Sequence, residues 1–362
     1  MIKIFDLKEQ YKQFGSIMDK KIINILSSGN YILGKNVTAF EEKTRAYLKS
    51  KYTISCNSGT DALVLSLRAL GIQSGDEVIT TPFSYFATAE SISLTGAKPV
   101  FADINPHTYN INPKNIPNLI TKKTKAILSV NLFGQACELD KINRIAKEYN
   151  IKHIEDCAQS FGATYKDKQT GSYGDMGCYS FFPTKNLGCF GDGGLIAVKA
   201  KKHYDILKKL RTHGGTKRNQ HDLIGYNSRL DEIQAAVLNI KLNYLQSFIK
   251  KRKKIAESYS RIINNDKFKL PFALKNSNHT YNQFTIRVKQ RGKLEAYLKQ
   301  HQIPYGVYYS KPMYKYNAYK KFNYKPLPMV EKVSKQCLSL PIYPELSLKY
   351  VKFIGKTLNN YE

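Results

Sequence analysis

The sequence predicts an α/β protein in which a mostly parallel sheet lies between helices and a smaller α+β domain follows. Two observations support this fold class. Across the first half of the chain, short apolar runs alternate with amphipathic segments, which is typical of repeated strand–helix units in a parallel sheet. Beyond about residue 265 this alternation gives way to shorter, mixed segments. We therefore expect a large domain over residues 1–245 and a small domain over residues 246–362.

The predicted strands of the large domain are short apolar runs bounded by proline, glycine or polar residues. Helices are predicted over residues 60–70 and 138–149, because apolar side chains recur there on one helical face. Sheets of this kind bind ligands beyond the carboxyl ends of their strands. The predicted strands are residues 52–56, 77–82, 98–104, 125–134, 152–158 and 194–199.

A single apolar stripe predicts one long helix from about residue 231, because leucine and isoleucine recur at intervals of four and three residues. The small domain is predicted to contain strands at residues 282–288 and 306–309 and a helix at residues 292–301. The stripe consists of Leu238, Leu242, Leu245 and Ile249.

The composition favours a globular protein of the cytoplasm. The chain has 362 residues and is 42% hydrophobic, enough for a sizeable core. No apolar run reaches the roughly 18 residues that a membrane-spanning helix needs. The first residues also lack the apolar region of a signal peptide. We therefore expect a cytoplasmic protein with no membrane partner.

The formal net charge of +29 raises the alternative of a polyanion-binding protein. The basic residues are scattered, however, and the one dense run, residues 250–254, falls inside a helical pattern. We interpret that run as a solvated helix face. No nucleic-acid partner is expected, although the surplus positive charge would attract a substrate that contains a diphosphate.

The cysteines are interpreted as reduced, mostly buried thiols. None of them forms a CxxC pair and no histidine cluster accompanies them, so no metal site is expected. The six are Cys56, Cys137, Cys157, Cys178, Cys189 and Cys337.

The segment Asn57–Thr60 joins a predicted strand to a predicted helix. It is an ordinary helix N-cap in the simpler interpretation. In the functional interpretation it is a phosphate cradle, in which Gly59 lets the backbone approach the anion and Thr60 adds a hydroxyl.

Asp156 ends a predicted strand, where an acidic residue commonly caps a turn or helix. Its functional alternative is to pair with the protonated nitrogen of a pyridine ring in a bound cofactor and so keep that ring cationic. Gln159, three residues later, is placed to hydrogen-bond a phenolic oxygen on the same cofactor ring.

Lys185 follows the apolar segment Tyr179–Phe182, which we expect to be buried, and precedes a glycine-rich turn. Most lysines are surface residues, but one inserted between these segments requires another explanation. Burial and a nearby cation would lower the pKa of its amine, as a nucleophile or proton shuttle requires.

These motifs together match the needs of pyridoxal 5'-phosphate, which requires an amine, a carboxylate for its ring nitrogen and a helix N-terminus for its phosphate. Tyr85 is either a core aromatic or a residue that stacks on the ring. In the segment at residues 213–236, Ser228 or Asp231 is either a helix cap or part of a site.

The chain resembles the DegT/DnrJ/EryC1/StrS family of sugar aminotransferases, which belong to the fold-type I pyridoxal phosphate enzymes. The resemblance runs from FDLKEQY to CLSLPIYPEL. Its most specific segments are SGTDAL, HIEDCAQSFGA, SFFPTKNLGCFGDGG and GYNSRLDEIQAA.

The resemblance implies that the cofactor contacts come from two subunits. Asn227 matches a residue that reaches the cofactor phosphate of the neighbouring subunit, so a homodimer is the expected active unit. Arg229, Tyr308 and Tyr309 are expected to contact the substrate. The other matches are Lys185 as the Schiff-base and proton-transferring lysine, Asp156 as the partner of the ring nitrogen, Gln159 beside the ring, Tyr85 as the stacking aromatic, and Gly59, Thr60 and Ser180 as phosphate ligands.

The GYNSRLD segment resembles members that aminate C3 of a nucleotide sugar with L-glutamate as donor. The expected substrate is UDP-2-acetamido-2-deoxy-3-oxo-glucose or its uronate, used for lipid A, O-antigen or another surface glycan. Such relatives often have histidine where this chain has Tyr308, which leaves the neutral sugar and the uronate both open. Two alternatives stand beside this one: a C4 aminotransferase of 4-keto-6-deoxy sugars, and a non-catalytic protein that binds cofactor or polyanion.

Overall fold

A seven-stranded sheet forms the centre of the protein in the computed structural model, which describes residues 2–362. Its strand order is β1-β9-β8-β5-β4-β2-β3. Strand β9 runs antiparallel to both of its neighbours, and the other adjacent pairs are parallel. The predicted mostly parallel sheet is therefore confirmed. The sheet strands are β1 (Tyr52–Cys56), β2 (Glu77–Thr80), β3 (Lys98–Phe101), β4 (Thr124–Val130), β5 (Lys152–Asp156), β8 (Met176–Ser180) and β9 (Gly194–Val198).

The remaining strands are short and lie outside this sheet. Three of them form one small sheet, in the order β12-β6-β7, and the others pair as β10-β11 and β13-β14. These strands are β6 (Thr164–Tyr165), β7 (Lys168–Gln169), β10 (Gly215–Lys217), β11 (Gln220–His221), β12 (Ser277–Asn278), β13 (Phe284–Arg287) and β14 (Cys337–Leu340).

Helices pack on both faces of the central sheet and build the C-terminal region. Among residues 2–362, no helix is both long enough and apolar enough to cross a membrane. The helices are α1 (Leu7–Ser28), α2 (Lys35–Leu48), α3 (Gly59–Ala69), α4 (Ala87–Leu94), α5 (Leu139–Glu148), α6 (Lys201–Leu210), α7 (Glu232–Leu242), α8 (Leu245–Ile262), α9 (Arg291–Gln300), α10 (Pro328–Gln336) and α11 (Leu348–Asn359).

The long helix predicted from about residue 231 is wrong, because the structure has two helices there. Near the end of α7, the N–H groups of Asn243 and Tyr244 bond to carbonyls only three residues back, which tightens the last turn. The ring of Tyr244 packs against Phe14 of α1, with 4.5 Å between ring centroids. This tertiary contact outweighs the apolar stripe in setting the helix boundary.

Three further sequence interpretations need correction. Residues 306–309 form no strand: only Gly306 pairs, in an isolated bridge to Ser339, because the Tyr308 ring folds back over Gly306. Arg252, inside the run interpreted as solvated, is 3% exposed. Phe182, expected to be buried, is 49% exposed.

Two large apolar cores lie in different parts of the chain. The first joins α3 to the central sheet, and the second joins α8, α9 and α11 to β13 and β14. Residues between 313 and 337 return to the first core, where Met313, Tyr319 and Val330 are buried. The division of the chain at residue 245 stays a prediction. All six cysteines are buried and free of disulfides.

Candidate active site

The carboxyl ends of β5 and β8 place Asp156 and Ser180 at one edge of the sheet, since these strands are parallel neighbours with Asp156 opposite Cys178. Successive residues of a strand point to opposite faces. Glu155, on the other face, accepts hydrogen bonds from the N–H groups of Gly171 (2.7 Å) and Tyr173 (2.7 Å) and so secures a turn. The alternation therefore separates a structural carboxylate from one that is available to a ligand.

Asp156 is 4% exposed and is held by two donors. The hydroxyl of Thr88 donates to Oδ2 at 2.8 Å, and the N–H of Ala158 donates to Oδ1 at 3.1 Å. Burial raises the pKa of Asp156, while these donors and the charge of Lys185 act in the opposite direction. A carboxylate placed in this way suits a cationic ring nitrogen, whose charge would offset the burial.

Lys185 lies at the tip of a closed loop between β8 and β9. Its N–H donates to the carbonyl of Phe182 at 2.9 Å, and the N–H of Cys189 donates to Phe181 at 2.8 Å across the base of the loop. Burial lowers the pKa of Lys185 to about 8, and the charge of Asp156 opposes that shift. An amine with this pKa is partly neutral near physiological pH, as a nucleophile or proton carrier needs.

The N-terminus of α3 meets the end of β8 without space for another side chain. Ser58 caps the helix, with its Oγ accepting from Asp61 N–H at 3.0 Å. A Cβ on Gly59 would lie 2.6 Å from the Cβ of Ser180. This close approach brings the first-turn N–H groups and the Thr60 residue beside the Ser180 hydroxyl, an arrangement that fits a phosphate group.

Ser228 connects the α3 N-terminus to the segment that precedes α7. Its hydroxyl donates to Asp61 Oδ2 at 2.6 Å and accepts from the N–H of Asn57 at 3.3 Å. Ser228 is fully buried, whereas its neighbour Asn227 is exposed and Arg229 is half-buried. Ser228 thus acts as the structural anchor from which its two neighbours extend.

Gln159 uses both ends of its amide within the chain. Its Oε1 accepts from Phe133 N–H at 2.8 Å, and its Nε2 donates to the Tyr309 hydroxyl at 3.0 Å. An amide nitrogen carries two hydrogens, so one remains for the expected phenolic oxygen. Tyr309 also packs edge-on against Phe83, with 5.9 Å between ring centroids. Tyr308 is half-buried beside it.

In the single chain the side chain of Tyr85 is exposed and that of Arg229 is half-buried. Tyr85 is 64% exposed, so it is not the core aromatic of the simpler interpretation. Arg229 has no ion-pair partner among residues 2–362. Its guanidinium therefore keeps its donors for a ligand or a second chain.

Thr88 is a site residue that the sequence interpretation missed. It is 1% exposed on α4, hydrogen-bonds Ser84 at 2.9 Å and donates to Asp156. A hydroxyl three residues after Tyr85, in the first turn of α4, was the available signal. Its partner lies 68 positions away, however, and no local pattern contains that contact.

Known proteins of one family resemble this chain over most of its length. The model of the DegT/DnrJ/EryC1/StrS aminotransferase family matches residues 14–359. The chain belongs to this family. It is 42% identical over 360 residues to the UDP-2-acetamido-2-deoxy-3-oxo-D-glucuronate aminotransferase of Pseudomonas aeruginosa, covering 99% of this chain and 100% of that protein. It is 40% identical to the dTDP-3-amino-3,6-dideoxy-alpha-D-galactopyranose transaminase of Aneurinibacillus thermoaerophilus, covering 100% and 99%.

Solved structures show the same fold. DesV of S. venezuelae, in complex with a ketimine intermediate, superimposes with a TM-score of 0.96 at 34% identity, covering 99% of this chain and 97% of that one. NtdA of Bacillus subtilis, with bound cofactor PMP, gives 0.93 at 29% identity and covers 99% and 84%. The predicted family, fold type and aminotransferase activity are therefore confirmed.

Proposed function

We propose that this aminotransferase uses pyridoxal 5'-phosphate to move the amino group of L-glutamate to C3 of UDP-2-acetamido-2-deoxy-3-oxo-glucose or its uronate. The observation that carries the proposal is the meeting of three groups at one sheet edge. These are the low-pKa amine of Lys185, the buried carboxylate of Asp156 and the close contact of Gly59 with Ser180.

Each of these groups has a defined task. When bound, pyridoxal phosphate supplies an electron sink for a carbanion. Asp156 holds the proton on the ring nitrogen, and Thr88 fixes the orientation of that carboxylate. Lys185 would take a proton from the reacting carbon of the donor, or return one to that of the sugar. The α3 N-terminus and Ser180 hold the phosphate.

Position C3 is favoured by the relatives and by the GYNSRLD segment. The two relatives named above act on a 3-oxo sugar and on a 3-amino sugar, respectively. Their nucleotides differ, and we choose UDP because the identity is slightly higher with the UDP-sugar enzyme. The net charge of +29 favours a substrate with a diphosphate. A cytoplasmic enzyme that supplies lipid A, O-antigen or a related surface glycan fits this substrate.

We also propose a homodimer with shared sites. Asn227 is exposed, and the segment just before it carries apolar side chains in solvent: Ile224 is 92% exposed and Leu223 is 39% exposed. Exposed apolar groups beside a polar side chain of this kind favour contact with a second copy of the chain.

The test is a panel of nucleotide keto-sugars with glutamate as donor. We expect faster amination of the UDP-linked 3-oxo compounds than of a 4-keto-6-deoxy sugar, with the new amine located by NMR of the product. Preference for the 4-keto-6-deoxy sugar would establish the C4 alternative. If the protein binds the cofactor but glutamate does not change the absorption of the bound cofactor, the non-catalytic alternative would be established.

A further inference from the structure

Helix α7 carries a second buried lysine, to which the proposed reaction gives no task. Lys241 is 2% exposed, and its ammonium donates to the carbonyl of Gly188 and lies 5.7 Å from the ring centroid of Phe190. Burial lowers the pKa of Lys241 to about 8, and Cys189 and Glu345 act in the opposite direction. Burying an ammonium group against a carbonyl and an aromatic ring costs free energy, because the charge loses its water. If the role of this position were purely structural, a methionine would therefore fill it more favourably.

The same face of α7 contacts the turn a second time. Gln234 Oε1 accepts from the N–H of Phe190 at 2.9 Å. Gln234 and Lys241 are seven residues apart, which places them on one side of the helix two turns from each other. Helix α7 is therefore hydrogen-bonded at two points to one short turn, Gly188–Phe190. Lys241 donates to the carbonyl of Gly188, and Gln234 accepts from the N–H of Phe190.

That turn closes the loop that presents Lys185. A Cβ on Gly188 would lie 2.5 Å from the carbonyl oxygen of Pro183 and 2.8 Å from that of Phe182. The carbonyl of Phe182 also accepts the N–H of Lys185. A displacement of Gly188 therefore moves the backbone that carries Lys185, because there is no free space between the two sides of the loop.

We propose that Lys241 is a positioning residue for the reaction: by holding the carbonyl of Gly188 from α7, it fixes the loop that aims Lys185. Gln234 supports the same turn through Phe190. The inference rests on the proposed task of Lys185. It adds that the geometry of that lysine depends on a cation outside the reacting groups.

Amide hydrogen exchange on the cofactor-free protein tests the structural half of this inference. In Lys241→Met, we expect the amides of Lys185, Cys189 and Phe190 to exchange at least about tenfold faster, while those of β4 stay unchanged. Lys250→Met, at an exposed lysine of α8, is the matched control and should leave both regions unchanged. This measurement does not depend on which substrate the enzyme uses.

Steady-state kinetics with the cofactor-loaded enzyme test the functional half. We expect kcat of Lys241→Met to fall about 10²-fold, as a misplaced reacting group would cause, with KM for the sugar changed less than about threefold. The pH midpoint of the bound cofactor's absorption should shift as well. Lys241→Arg, which keeps the cation and the donor, should recover part of kcat.

A folded Lys241→Met protein with unchanged exchange in the loop and kcat within about twofold of the original would overturn the inference. If that variant does not fold, a matched pair at Gln234 decides. Gln234→Met should loosen the turn and lower kcat, whereas Gln234→Glu keeps the acceptor for Phe190 and should not. Equal behaviour of these two variants would equally overturn it. If no keto-sugar is aminated, the exchange result still stands, and only the proposed function fails.

Discussion

Two groups of side chains lie at one edge of the sheet. They differ in how far the single chain buries them and gives them hydrogen-bond partners. The inner group consists of Asp156, Thr88, Gly59, Ser180 and Lys185. Its members are buried or closely packed, and Asp156 is only 4% exposed with two donors.

The outer group consists of Tyr85, which is 64% exposed, Asn227, which is exposed, and Arg229, which is half-buried. Folding of one chain thus fixes the inner group in place. The outer group stays open in the single chain: Tyr85 and Asn227 are expected to contact the cofactor, and Arg229 the substrate. The two groups should therefore respond differently to mutation: inner variants should lose chemistry, and outer variants should lose binding or depend on assembly.

The largest expected effect is that of Lys185→Ala in the inner group. Removing the amine deletes both the attachment point and the proton carrier, so transamination should fall by at least about 10⁴-fold while the fold is kept. Activity is measured as 2-oxoglutarate formed from glutamate and keto-sugar, and folding by circular dichroism. Lys254→Ala, at an exposed lysine of α8, is the control. Turnover similar to the unmodified enzyme would contradict the whole assignment.

Asp156→Asn should have the next largest effect. The amide keeps the shape and can still accept from Thr88, but it cannot stabilise a positively charged ring nitrogen. We expect some cofactor to remain bound and kcat to fall about 10²–10³-fold. Cofactor content is measured by absorbance and kcat by product formation, with Asp266→Asn at an exposed position as control. A loss of only a few-fold would identify Asp156 as a turn cap.

The inner group was predictable because its motifs are local. A strand that ends in Asp156 and a helix that begins at Gly59 are visible in the sequence, and the alternation of strand side chains separates Asp156 from Glu155. Long-range contacts were not visible. Thr88 and Asp156 are 68 residues apart, and the contact of Tyr244 with Phe14 ends a helix that periodicity alone extends.

Charge patterns were the least informative part of the sequence. The run of charges at residues 250–254 is typical of a solvated helix face, yet one helical position in this run faces inward. Arg252 there donates to the backbone carbonyls of Tyr281 and Ile342, at 3.2 Å and 2.9 Å. A run of like charges longer than one helical turn has to place some residue on the inner face, and composition does not reveal which one.

Mixing of inactive subunits tests whether the outer group acts across an interface. Asn227→Ala and Lys185→Ala should each be inactive as homodimers. Random exchange makes half of the dimers hybrid, and one of two sites in each hybrid carries neither change, so about one quarter of full activity should return. Activity is measured after mixing, with hybrids quantified by differently tagged subunits. Confirmed hybrids without recovered activity would mean that each site is built from one chain.

Arg229→Lys should have the smallest effect and should separate binding from chemistry. Arg229 has no ion-pair partner among residues 2–362, and the planar fork of its guanidinium suits a phosphate or carboxylate better than an ammonium does. If it grips the sugar, KM for the keto-sugar should rise about tenfold, while the change that glutamate causes in cofactor absorption stays as it was. If it holds the carboxylate of glutamate instead, KM for the keto-sugar should rise and the change that glutamate causes in cofactor absorption should also weaken.

Arg261→Lys, at an exposed arginine of α8, is the control. A loss in kcat alone would move Arg229 from the outer group to the inner one, and the division between the two groups would then no longer hold.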